Sequence, residues 1–108
     1  MTLQQLKYAI AIADTRNITE ASKRVFISQP SLTASIHELE SELNITIFNR
    51  SNKGVTITNE GDEFLSYARQ VVEQASLLED RYKGGNFFSF FHFYYLKILK
   101  ILLILLYQ

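Results

Sequence analysis

Ser28-Gln29-Pro30-Ser31-Leu32-Thr33-Ala34-Ser35-Ile36-His37-Glu38-Leu39-Glu40-Ser41-Glu42-Leu43 is the stretch whose reading decides the fold. Leu32, Ile36, Leu39 and Leu43 recur at spacings of four, three and four, which is one apolar face of a helix. Pro30 stands in the first turn, where a missing amide costs nothing and a fixed φ suits the helix. Ser31, Thr33, Ala34, Ser35 and His37 are left on the other faces. Asn44 follows the last apolar residue and can take the left-handed conformation that ends a helix, a position glycine fills at lower cost.

Working outward, Leu3, Leu6, Ile10 and Ala13 repeat at helical spacing and predict a first helix to about Thr15. Asn17 marks a turn. Thr19 suits the N-cap of a short second helix with Ala21 and Val25 inward, closed by Phe26-Ile27. Downstream, Ile45, Ile47 and Phe48, the turn Asn49-Arg50-Ser51-Asn52-Lys53-Gly54, and the alternating Val55 and Ile57 read as a small β-hairpin. Thr58 can cap a fourth helix running from Asn59 to Lys83. Along it Phe64, Ala68, Val71, Ala75, Leu78 and Tyr82 form a heptad-like seam. At about 1.5 Å per residue that helix spans roughly 37 Å, too long for one small domain to cover. The seam therefore predicts dimerisation with a second copy.

With 108 residues and 47% hydrophobic content, one small domain with a core is expected. The chain has no cysteine, which rules out disulfides, thiolate metal sites and cysteine nucleophiles. Its start has no basic region followed by an apolar stretch, so a cytoplasmic location is expected. Lys and Arg balance Asp and Glu at 11 each. Residues 1 to 58 carry six basic residues against five acids, a balance of +1. If DNA is the ligand, attraction to its phosphates must come from Lys23, Arg24, Arg50 and Lys53, from helix N-termini, and from a second copy of the chain.

Three short helices followed by a hairpin define a fold class: all-α with a small β-hairpin wing, a winged helix-turn-helix followed by a long dimerisation helix. Such a helix fits the major groove of double-stranded DNA, short Ser and Thr side chains allow close approach, and a basic wing tip reaches the neighbouring backbone. Many residues between Leu3 and Gly61 carry a closer resemblance. They are Leu3-x-Gln5-Leu6, Ile18-Thr19-x-Ala21-Ser22, Val25-x-Ile27-Ser28-Gln29-Pro30-Ser31-Leu32-Thr33, Ile36-x-x-Leu39-Glu40-x-Glu42-Leu43, Ile47-Phe48-x-Arg50 and Ile57-Thr58-x-x-Gly61. In this order they resemble the N-terminal domain of LysR-type transcriptional regulators.

That resemblance implies a sequence-specific, DNA-binding transcription regulator, dimeric on partly palindromic promoter DNA. It places Gln29, Pro30, Ser31 and Thr33 at the start of the recognition helix and Arg50 on the arginine after the family's Phe. The candidate DNA-binding set is Ser28, Gln29, Pro30, Ser31, Thr33, Ala34, His37, Arg50 and Lys53. The family usually has Gly where Asn44 sits, and often basic or amide residues where Ala34, Ser35 and His37 stand. The latter departure bears on the base sequence read, since one bidentate contact is worth about 1 to 3 kcal/mol of discrimination.

No cofactor, metal site or catalytic site is expected. His37 and His92 lie far apart without a ligand constellation, and no nucleophile elbow or phosphate loop occurs. The expected organisation is a DNA-binding domain over 1–58, a linker and dimerisation helix over 59–83, and an apolar tail over 84–108. Composition breaks at Gly84-Gly85, and residues 87 to 107 are almost wholly Phe, Tyr, Leu and Ile. The tail resembles no LysR segment and stands where the family's effector-binding domain is expected. An out-of-frame or truncated product, a helix from about Tyr94 covering apolar surface in the dimer, and a membrane anchor are its three readings. Lys97 and Lys100 oppose the last, at about 2.5 to 3.5 kcal/mol each near a bilayer centre. The resemblance also implies mixed dimers with a full-length relative. The competing functional class is a dimeric protein-interaction or membrane-attached module that has lost DNA binding.

Overall fold

The structure is a computed structural model that describes residues 1–83 and 87–107, with side-chain surroundings for 1–83 and 94–107. The compositional break expected at Gly84-Gly85 lies outside the described residues. The chain runs α1 (Leu3–Thr15), α2 (Ile18–Val25), α3 (Gln29–Leu43), β1 (Phe48–Ser51), β2 (Gly54–Ile57), α4 (Asn59–Tyr82) and α5 (Phe87–Leu106). It divides into two compact units, Met1–Val72 and the residues from Glu73 onward.

In the first unit, α1 to α3 and the hairpin close around Ile12, Leu32, Ile36, Leu39 and Ile47, all fully buried. The predicted stripe of α3 is this core, with Leu43 half-buried at its edge. Thr2 and Gln5 form a reciprocal capping box at the start of α1. Gln5 is itself buried and donates from Nε2 to the Ser35 carbonyl, tying α1 to α3 at 3.3 Å. Each of the three helices ends on a left-handed residue that is not glycine: Arg16, Phe26 and Asn44, at φ 53°, 59° and 54°.

Several local features differ from the sequence expectation. Asn17, not Thr19, caps α2, because its Oδ1 accepts from the Glu20 amide at 3.0 Å. The hairpin is tighter than the six-residue turn predicted. Asn49, Arg50 and Ser51 pair with Thr56, Val55 and Gly54, which leaves Asn52-Lys53 as the loop. Strand pairing starts at Phe48, so Ile45 and Ile47 precede the strand. In α4 the core contact shared with Phe64 is made chiefly by Leu65, which the heptad reading omits. The tail helix begins at Phe87, earlier than about Tyr94.

Glu40 fixes the entry to the wing. Its Oε2 accepts from the amides of Ile47 at 2.7 Å and Phe48 at 3.3 Å. Removing an acceptor that satisfies part-buried amides costs about 1 to 3 kcal/mol. Glu40→Ala is expected to lose stability within that range, measured by urea unfolding, and an unchanged midpoint would mean that water replaces the carboxylate there. In the second unit, Leu77 is buried while its neighbour Leu78 is 62% exposed.

Candidate nucleic-acid interface

Ser28 sets the start of α3. Its Oγ accepts from the Ser31 amide at 3.2 Å and donates to Ser31 Oγ at 2.8 Å, an N-cap worth about 1 kcal/mol. Pro30 has no amide and those of Ser31 and Leu32 bond to Ser28, so of the first-turn amides only that of Gln29 is left, with the helix dipole, to attract a phosphate. Gln29, Pro30 and Thr33 line an open concavity of about 550 Å³ together with Ile18 from α2 and Arg50 from β1. Residues distant in sequence, at the recognition-helix start and on the wing, thus share one surface.

The other expected site residues fall around it. Ser31 and Ala34 are exposed on α3 outside the concavity, and Lys53 is exposed at the hairpin tip. His37 lies one helical turn beyond Thr33 and lines a second concavity with Glu40, Ser41, Asn44 and Glu60. It is exposed, as a surface histidine would be. Among the described residues, no group of three or more His, Asp or Glu is placed to hold a metal ion.

The ion pairs sort the basic residues. Lys23 lies 3.5 Å from Glu20, and Arg24 and Arg69 lie 4.0 and 2.6 Å from Asp14. Such exposed pairs are worth about 0 to 1 kcal/mol, yet they cancel local charge near α2. Among the described residues, Arg50, Lys53 and Arg16 have no carboxylate within ion-pair distance. Arg16 lies outside the candidate set that the sequence marks. Its carbonyl accepts from the Val55 amide of the wing at 3.3 Å, and Val55 pairs with Arg50, so its backbone sits beside the wing. No motif signals this, because the contact joins the α1–α2 turn to a strand about forty residues later.

These elements define a winged helix-turn-helix fold, with a candidate nucleic-acid surface on the third helix and the wing. The chain belongs to the lysR family of bacterial regulatory helix-turn-helix proteins, which residues 3–62 match. It is 40% identical over 81 residues to the HTH-type transcriptional regulator TcbR of Pseudomonas sp. (strain P51), covering 75% of this chain and 28% of that protein. It is 41% identical over 87 residues to a probable RuBisCO transcriptional regulator of Trieres chinensis, covering 77% and 28%. The chain therefore spans less than a third of the length of these relatives. The crystal structure of CbnR, a LysR family transcriptional regulator, superposes with a TM-score of 0.72 at 38% identity, covering 77% of this chain and 29% of CbnR. The CbnR_DBD–DNA complex gives the same TM-score and identity over 78% of this chain and 97% of that one.

Proposed function

We propose that this chain binds double-stranded promoter DNA as a homodimer in the cytoplasm and regulates transcription, acting by binding and not by catalysis. The observation that carries this reading is the shared concavity in which Gln29, Pro30 and Thr33 of the recognition helix meet Arg50 of the wing. Similarity to CbnR_DBD, solved as a DNA complex, supports it. The recognition helix contacts base edges through Gln29, Ser31, Thr33, Ala34 and His37, with Ser28 and Pro30 shaping its start. Arg50, Lys53 and Arg16 contact phosphates. Residues 1–58 carry this contact and residues 59–83 the dimerisation.

The dimer seam uses the side chains of α4 left uncovered in one copy. Val71, Leu78 and Tyr82 are 50%, 62% and 76% exposed, with Ala75 half-buried between them. Phe64 and Ala68, by contrast, are covered by their own unit. Substituting Leu78→Glu is expected to shift the protein from dimer to monomer in sedimentation equilibrium. A dimer that survives at micromolar concentration would place the interface elsewhere. The same seam would admit a full-length relative and form mixed dimers.

The test of DNA binding is capture of genomic fragments by the purified chain at stated salt, followed by titration of a retained site. Each phosphate contact contributes about 0.9 to the slope of log affinity against log salt. In a dimer, Arg50→Ala, Lys53→Ala or Arg16→Ala is expected to flatten that slope by about 1.8. A folded dimer that retains no fragment would overturn the proposed function. An unchanged slope would remove that one arginine or lysine from the interface.

A further inference from the structure

His37 stands four residues after Thr33 on α3, about 6 Å further along the same face. It is exposed and, among the described residues, has no carboxylate within ion-pair distance. It lines a concavity of about 440 Å³ with Glu40, Asn44, Thr46 and Glu60. Both carboxylates of this hollow are pinned to backbone. Glu40 Oε2 is held by the amides of Ile47 and Phe48, and Glu60 Oε2 by the Thr46 amide at 3.4 Å. Glu38, the other acid beside His37, is exposed on the same helix. No lysine or arginine lines the hollow, so among its described lining residues His37 alone can turn positive.

The charge on that imidazole decides how this part of α3 meets a phosphate backbone. A neutral His37 leaves Glu40 and Glu60 as two fixed negative charges, which repel approaching phosphates. A protonated His37 offsets one of them and offers N–H donors at both ring nitrogens, so that one can meet a base edge and the other a phosphate. Neither carboxylate can swing in to neutralise it without giving up the amides it holds, and the cation stays available to DNA. Imidazole is the side chain that gains and loses its charge between about pH 5 and 8, and a phosphate beside it favours the charged form. A proton therefore passes from solvent to His37 as DNA docks, and by linkage affinity rises as pH falls.

We propose that, within the DNA binding proposed for this chain, His37 couples docking to uptake of one proton per copy, so that acidification tightens the complex. The test is an anisotropy titration of a retained site near pH 6 and near pH 8, with the fold checked by circular dichroism at each. Affinity is expected to be about tenfold higher near pH 6, the size of two exposed ion pairs, one per copy. The slope of log affinity against log salt should be steeper there by about 1.8 for a dimer. His37→Gln is expected to remove both differences, and His37→Lys to keep the steeper slope at both pH values. Equal affinity at the two pH values overturns the proton linkage and leaves DNA binding standing. A pH effect that survives His37→Gln assigns the proton to another group and overturns it as well. A folded dimer that retains no fragment at either pH overturns the proposed function, and the linkage falls with it.

Discussion

Replacing Gly61 with alanine is expected to destabilise the first unit by about 3 kcal/mol, at the upper end of what overpacking a core normally costs. An added Cβ would lie 2.2 Å from the Ile47 carbonyl oxygen, and the obstacle is backbone, with no side chain free to swing away. That same carbonyl accepts from the Thr58 amide at 3.0 Å and from Thr58 Oγ1 at 3.3 Å, while Thr58 Oγ1 accepts from the Gly61 amide at 2.9 Å. Thr58 also donates to the Thr46 carbonyl. Any displacement that relieves the clash must therefore break the bonds that anchor α4 to the wing entry. A domain of this size should lose roughly 12 to 24 °C in Tm, measured by far-ultraviolet circular dichroism. A fall of under 2 °C would show that α4 can slide without loss.

Thr33→Asp is expected to leave the fold intact and to lower DNA affinity by roughly 30-fold or more. No hydrogen bond of the native fold uses the Thr33 hydroxyl among the described residues. A carboxylate near a helix N-terminus is compatible with the dipole. In the concavity it shares with Gln29, Pro30 and Arg50, however, the new charge faces phosphates and base edges. At about 1 to 3 kcal/mol for each of two half-sites, the loss should be plain in a fluorescence anisotropy titration, with Tm unchanged within a few degrees. Wild-type affinity in a normally folded variant would remove Thr33 from the interface.

The parts legible in sequence are those written in periodicity. Leu32, Ile36 and Leu39 announce α3 and its core at once, and Asn44 its end, because a stripe and a stop are both local signals. The cap of α2 was misplaced because Asn17 and Thr19 are both competent, and only the backbone geometry at Asn17 chooses between them. Leu65 is hidden because the heptad-like pattern through Phe64 and Ala68 offers a competing phase on the same helix, and the packing of the first unit uses a neighbouring one. In the candidate site, Gln29, Pro30, Thr33 and Arg50 were legible through the family resemblance. Arg16 was not, because its place depends on a carbonyl meeting Val55, a contact set by tertiary folding. Phe26 is 91% exposed in a left-handed turn, and nothing in the structure explains that choice.

The clasp of Glu40 on the amides of Ile47 and Phe48 makes a caliper of the first unit. It joins the helix that carries Thr33 directly to the strand that carries Arg50, so the reach between the two proposed contact points is set before any ligand arrives. A half-site lengthened by one base pair inside that reach cannot be followed by stretching the protein. In the proposed dimer, variation in operator length should instead be tolerated between half-sites, where only the joint between two copies has to give.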